Sequence, residues 1–212
     1  MKKRLTPLVA IFLIIGSGVM IARYFTKTNT RSPIEGAEEE LAGCSEVLAQ
    51  QTTRLVGNRG DIVVLTWGPP SDTAPDMRAF CQALQRTGLR LGAKEIVPGV
   101  TVQQHLVWPA ESYSELLERH AGAAAFVSFI GVPQLSAGDV RALPTRRPKL
   151  IVANPCGSEM IMRTLFQQGL VDGVMLPRSS PPASSKPPKT PQEWFDASYQ
   201  FVTAETAASL PE

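Results

Sequence analysis

Cys156 stands in Asn154-Pro155-Cys156-Gly157-Ser158, a break between the apolar run Leu150-Ile151-Val152-Ala153 and a segment of helical spacing. A thiol at a helix N-terminus is acidified by the helix dipole and becomes nucleophilic. His105 is then the candidate base for a thiol enzyme. The same pentapeptide also reads as a small buried cysteine with Ser158 capping the helix. Trp67 and Trp108 offer flat faces of the kind that stack on a sugar ring, and they also suit packing beneath proline-rich loops. Phosphate chemistry is disfavoured. The first apolar run is followed by Gly68-Pro69-Pro70-Ser71-Asp72, which has no G-x-G-x-x-G, no Walker lysine and prolines that lack the required N–H groups. With two histidines and three cysteines in 212 residues, no metal site and no cofactor are expected. A Cys81–Cys156 disulfide is compatible with an oxidising compartment.

These residues need elements to position them. Ile62-Val63-Val64-Leu65 is a continuous β-branched run of the type buried on both faces of a sheet. Pro75 opens a helix through Met77, Phe80 and Leu84, closed by Gly88. A second strand is expected within Lys94 to Val107 and a helix over Ser112 to His120, with His120 on the helix's last carbonyls. Further strands are expected at Ala123–Ile130, Leu150–Ala153 and Val171–Leu176, with helices at Ala137–Leu143 and Ser158–Gln168. Arg146, Arg147 and Lys149 read as a solvated loop before a strand. Five strands alternating with four helices predict an α/β fold, a doubly wound parallel sheet with helices on both faces, Rossmann-like or flavodoxin-like. Ligands on such sheets sit beyond the carboxyl ends of the strands. That rule selects Trp67, Trp108, Ser128, Asn154, Ser158 and Arg178 as candidate ligand-binding residues.

The strand order, the Met77–Thr87 helix followed by Gly88, and the Val171-Asp172-Gly173-Val174 start of the last strand resemble one lobe of a type 1 periplasmic binding protein over residues 61–178. The resemblance implies sugar or small-metabolite binding between two lobes, with aromatic side chains stacking on the ligand. This chain has no second lobe, so a closing cleft requires a homodimer or another protein. The resemblance therefore carries over the fold and not the activity.

The flanks point to a membrane. Leu5 to Ala22 holds 18 residues without a charge, bounded by Arg4 and Arg23, enough helix to approach the ~30 Å hydrocarbon core at ~1.5 Å per residue. No small-x-small cleavage site ends it, so residues 1–31 read as an uncleaved single-pass anchor with basic flanks. The clustered Lys2, Lys3 and Arg4 place the N-terminus inside and the globular part outside the cytoplasm. Residues 32–60 read as an amphipathic helix or stalk. Ile34, Leu41, Leu48 and Leu55 recur every seven residues, either as a short coiled coil with Cys44 near its seam or as a helix docked on its own domain. Leu41-Ala42-Gly43-Cys44 matches a lipoprotein cleavage box only by coincidence, because Glu38, Glu39 and Glu40 precede it.

Residues 179–191 form a Pro/Ser-rich linker. Residues 192–212 bring Trp194, Phe195, Tyr199, Phe201 and Val202 in an acidic tail that Thr190 and Pro191 start as a helix. So few aromatics cannot make their own core, so the tail either folds back or docks on an envelope protein partner. Residues 61–176 carry ten basic and ten acidic groups, and a neutral core argues against nucleic acid. The expectation is a non-enzymatic, membrane-anchored, extracytoplasmic domain that binds a small molecule or a protein. The thiol enzyme and a structural scaffold acting through its terminal arms are the alternatives.

Overall fold

The computed structural model describes residues 33–66, 75–98, 107–153, 159–178 and 187–210. The chain divides into a unit ending at Glu38 and one running from Glu39 onward. In chain order the elements are α1 (Pro33–Val56), β1 (Asp61–Thr66), α2 (Pro75–Leu84), β2 (Arg90–Ile96), β3 (Val107–Pro109), α3 (Ala110–Arg119) and β4 (Ala125–Ser128). There follow β5 (Val132–Gln134), α4 (Ala137–Ala142), β6 (Lys149–Val152), α5 (Glu159–Gln167), β7 (Gly173–Pro177), α6 (Pro191–Ser198), β8 (Tyr199–Thr203) and a 3-10 turn at Ala207–Ser209.

Among the described residues, six strands form one sheet in the order β2-β1-β4-β6-β7-β8, and β3 pairs with β5 apart from it. Strands β2, β1, β4, β6 and β7 are mutually parallel. The doubly wound parallel sheet is therefore present, with one addition: β8 runs antiparallel along β7, Gly173 opposite Thr203 and Pro177 opposite Tyr199.

Alternation along β1 sorts the layers, since successive side chains point to opposite faces. Val63 and Leu65 join Tyr113 and Leu116 of α3 and Met162 and Phe166 of α5 on one face. Ile62 and Val64 join Leu48 and Ala49 of α1 and Phe80 and Leu84 of α2 on the other. The sheet's middle strands are apolar on both sides because both sides are covered.

Leu48 of α1 is buried against β1 and α2, and Cys44 and Val47 pack on Phe195 of α6. The helix is docked on the domain, and Cys44 sits mid-helix, 6% exposed, not at a coiled-coil seam. The tail likewise folds back. Its α6 begins at the Thr190–Glu193 capping box, and its β8 takes the edge of β7. Of the two alternatives for residues 192–212 the structure has the tail folded back: Phe195 packs on Cys44 and Val47 of α1, and β8 pairs with β7.

Two smaller expectations change. The second strand begins at Arg90, before Lys94, and Val107 belongs to the separate β3; an edge strand with its charged residues half-exposed shows no apolar run. Arg147 is no solvated side chain. It donates to Asp172 at 3.0 Å, to Leu170 O at 3.1 Å and to Gly169 O, and so ties the entry of β6 to the entry of β7. His120 meets a helix carbonyl through its backbone, N–H to Leu116 O at 2.9 Å, while its ring meets Glu95 at 2.7 Å and Arg119 joins the same carboxylate at 2.7 Å. No helix among the described residues is long and apolar enough to cross a membrane; the expected anchor at 5–22 lies outside them.

Candidate functional site

Strand order locates the site. From β1 the sheet grows one way to β2 and the other way to β4. The helices that follow β1 and β4 therefore leave on opposite sides, the topology at which ligands of such sheets sit beyond the carboxyl ends of the two strands. Thr66 ends β1 and Ser128 ends β4, and Leu65 pairs with Ser128 across the ladder.

The β4 side is well defined. Phe129 N–H donates to Leu65 O at 3.0 Å and carries the pairing one residue past the strand. Ser128 is fully buried; its hydroxyl donates to Gly131 O at 2.7 Å and accepts from Ile130 N–H at 3.3 Å. Gly131 has φ +76°, a left-handed conformation that glycine adopts without strain. Ser128 is thus the pin of a tight turn rather than a group offered to a ligand. The turn presents Phe129, half-buried and edge-on to Phe80 of α2 at 5.8 Å. Phe129 packs against the β1–α2 side of the core; its position at the end of an apolar run marked it as strand interior.

Trp108 and Arg178 are also placed. Trp108 is 1% exposed and stands edge-on to Tyr113 at 5.5 Å, with Tyr113 edge-on to Phe126 of β4. Its faces are taken up by the core, so it follows the packing alternative. Burial pushes the Tyr113 phenol up to about 12, against the opposing pull of the nearby Arg147 guanidinium. Arg178 lies at the carboxyl end of β7, but its Nε donates to Tyr199 O at 2.8 Å and its guanidinium lies 3.9 Å from Asp196. It holds the start of β8 to the end of β7. Trp67, Asn154, Ser158, Cys156 and His105 lie outside the described residues.

A second polar grouping forms where α1 meets the tail. Ser198 donates to Glu40 at 2.6 Å. Beside it the Cys44 thiol is pushed up to about 12, first by burial and then by the Glu40 carboxylate. Such a thiol stays protonated at neutral pH and is a poor nucleophile. Among the described residues, no group of His, Cys, Asp and Glu is arranged to hold a metal ion.

No protein-family model matches the chain. No curated protein matches it either. Solved structures do. AraP, an arabinose-binding protein from Geobacillus stearothermophilus, superposes with a TM-score of 0.53 at 12% identity, covering 81% of this chain and 63% of its own. A sugar-binding protein of a sugar ABC transporter from Bacillus halodurans gives 0.52 at 12%, covering 81% and 64%. The XylFII-LytSN complex gives 0.51 at 12%, covering 79% and 60%. The chain has the fold of the sugar-binding solute-binding proteins. The match to the solute-binding-protein fold takes in more than residues 61–178, which are too few to make up four-fifths of 212 residues. The chain spans less than two-thirds of the length of these proteins.

Proposed function

We propose that this chain is a non-enzymatic, extracytoplasmic domain that binds a small polar molecule, a monosaccharide or a close relative of one, beyond the carboxyl ends of β1 and β4. The observation that carries the reading is the reversal of strand order between β1 and β4, in a sheet whose fold is that of sugar-binding proteins. The direct ligand contacts fall to Trp67, which follows β1, and to Asn154 and Ser158, which follow β6. Trp67 supplies a stacking face, and Asn154 and Ser158 supply donors and acceptors for hydroxyl groups. Residues 5–22 tether the domain to the membrane, single-pass. A second copy or another protein covers the ligand's open side.

The test is a thermal-shift screen of the purified full chain against pentoses, hexoses, amino acids and nucleotides. A ligand at 100 times its dissociation constant adds about 2.7 kcal/mol of stability, a rise of several degrees. A shift with a monosaccharide that is lost in Trp67→Ala supports the reading. A cooperative transition that no compound moves sinks it and favours the scaffold. Fast alkylation of Cys156 by iodoacetamide at neutral pH would favour the thiol enzyme instead.

A further inference from the structure

On the α3 flank of the sheet, α3 and α4 enclose an open groove of about 530 Å³. Its floor is apolar. Leu117 comes from α3, and Leu135, Leu143 and Pro144 come from the segments bracketing α4. Leu117 is a core residue, and Leu135 and Leu143 are half-buried against the same core. Helix α4 buries none of its own residues, so this wall is held by its flanks and leaves the groove uncovered. The lining on the α3 side runs from Ala110 to Glu118 within the helix, about 12 Å at 1.5 Å per residue, and on to Ala121 just past its end.

The rim is acidic on both sides, with Glu111 and Glu118 on α3 and Asp139 on α4. Arg119, next to Glu118, is engaged with Glu95 at 2.7 Å. Glu118 stands in the last turn of α3, where the negative end of the helix dipole disfavours an anion. Glu111, in the first turn of α3, and Asp139, in the capping box of α4, are each favoured by a helix N-terminus, yet the groove lining holds these three carboxylates and no basic side chain, around an apolar floor shaped by two helices. Anionic lipid and nucleic acid are repelled by such a rim. A helix with an apolar stripe and lysines or arginines beside it matches both features.

We propose that the α3–α4 groove docks a basic amphipathic helix of a partner protein. The apolar floor and the acidic side chains on both banks are the features it recognises.

The probe is a fluorescently labelled helical peptide with leucines at i, i+3 and i+4 and lysines flanking them, and its counterpart is the same pattern with glutamates. Anisotropy titration against the full chain should show saturable binding of the lysine peptide that weakens with added salt. Glu111→Lys with Glu118→Lys, both exposed, should weaken it at least roughly tenfold at low salt. Leu143→Ser should weaken it while leaving the salt dependence in place. Absence of binding overturns the proposal. So does equal binding of the two peptides, or binding that neither variant changes. A concentration-dependent dimer that the charge reversal dissolves also overturns it, since a second copy would then occupy the groove.

Discussion

Ser198 donates a 2.6 Å hydrogen bond to Glu40, a residue 158 positions earlier in the chain. Around it Cys44 and Val47 of α1 enclose Phe195, with Met175 of β7 against them. The first helix of the folded unit and the tail that follows the proline-rich linker therefore form one joint.

That joint should carry measurable stability. Phe195 is 2% exposed, and removing a buried phenylalanine side chain costs about 3 kcal/mol. At roughly 2–4 °C per kcal/mol for a chain of this size, Phe195→Ala should lower Tm by about 6–12 °C. Calorimetry of the variant checks it. An unchanged Tm would mean that the tail is not docked.

The Arg147–Asp172 pair gives a second expectation. The Arg147 side chain is 12% exposed and lies 3.0 Å from Asp172, whose Oδ2 also accepts from Leu150 N–H at 2.9 Å. Asp172→Asn strands a nearly buried guanidinium and should cost about 3 kcal/mol in urea unfolding. Pairing it with Arg147→Met should recover part of that loss, because the second change removes the stranded charge.

Gly173 yields a prediction with a built-in rescue. A Cβ there would stand 2.6 Å from Phe201 Cζ and 2.9 Å from Leu55 Cδ1. Gly173→Ala should therefore destabilise by about 1–3 kcal/mol through overpacking. In a Phe201→Leu background the penalty should shrink, and a double-mutant cycle in urea measures the coupling.

Alkaline pH should weaken the fold. Cys44 and Tyr113 both have their proton loss pushed up to about 12 by burial, from usual values of 9.0 and 10.0. The unfolded chain gives up these protons first, so stability is intact below about pH 9 and falls as pH rises towards 12. Urea midpoints measured from about pH 8 to about pH 11 should decline, and Cys44→Ala should flatten the early part of that decline.

The parts of the fold legible in the sequence are those with local causes. Ile62–Leu65 and Leu150–Val152 read as strands because central strands covered on both faces must be continuously apolar. Thr190 with Glu193 announced the start of α6 through a capping box. What could not be read depends on distant partners. Strand β2 carries Lys94 and Glu95 and gains its identity from pairing with β1. Arg147 in a basic cluster gives no local sign that Asp172 will meet it. Trp108 has the residue type of a sugar-stacking side chain, and only the contacts with Tyr113 assign it to the core. The candidate site was legible as a location, since the strand-end rule needs only strand order. Phe129, which packs on Phe80 at the end of β4, was hidden in the run that predicted the strand.

The antiparallel β8 has a consequence for how the molecule is made. Residues 191–210 are synthesised after every strand they close on, so β7, with the apolar stretch Gly173–Pro177, is finished while its outer edge still lacks a partner. During that interval the half-built sheet presents a sticky border to other nascent chains. Cleavage within the linker would recreate the same border in the mature protein. Proteolytic loss of the tail should then lead to co-aggregation of neighbouring copies, at a rate that rises with their crowding.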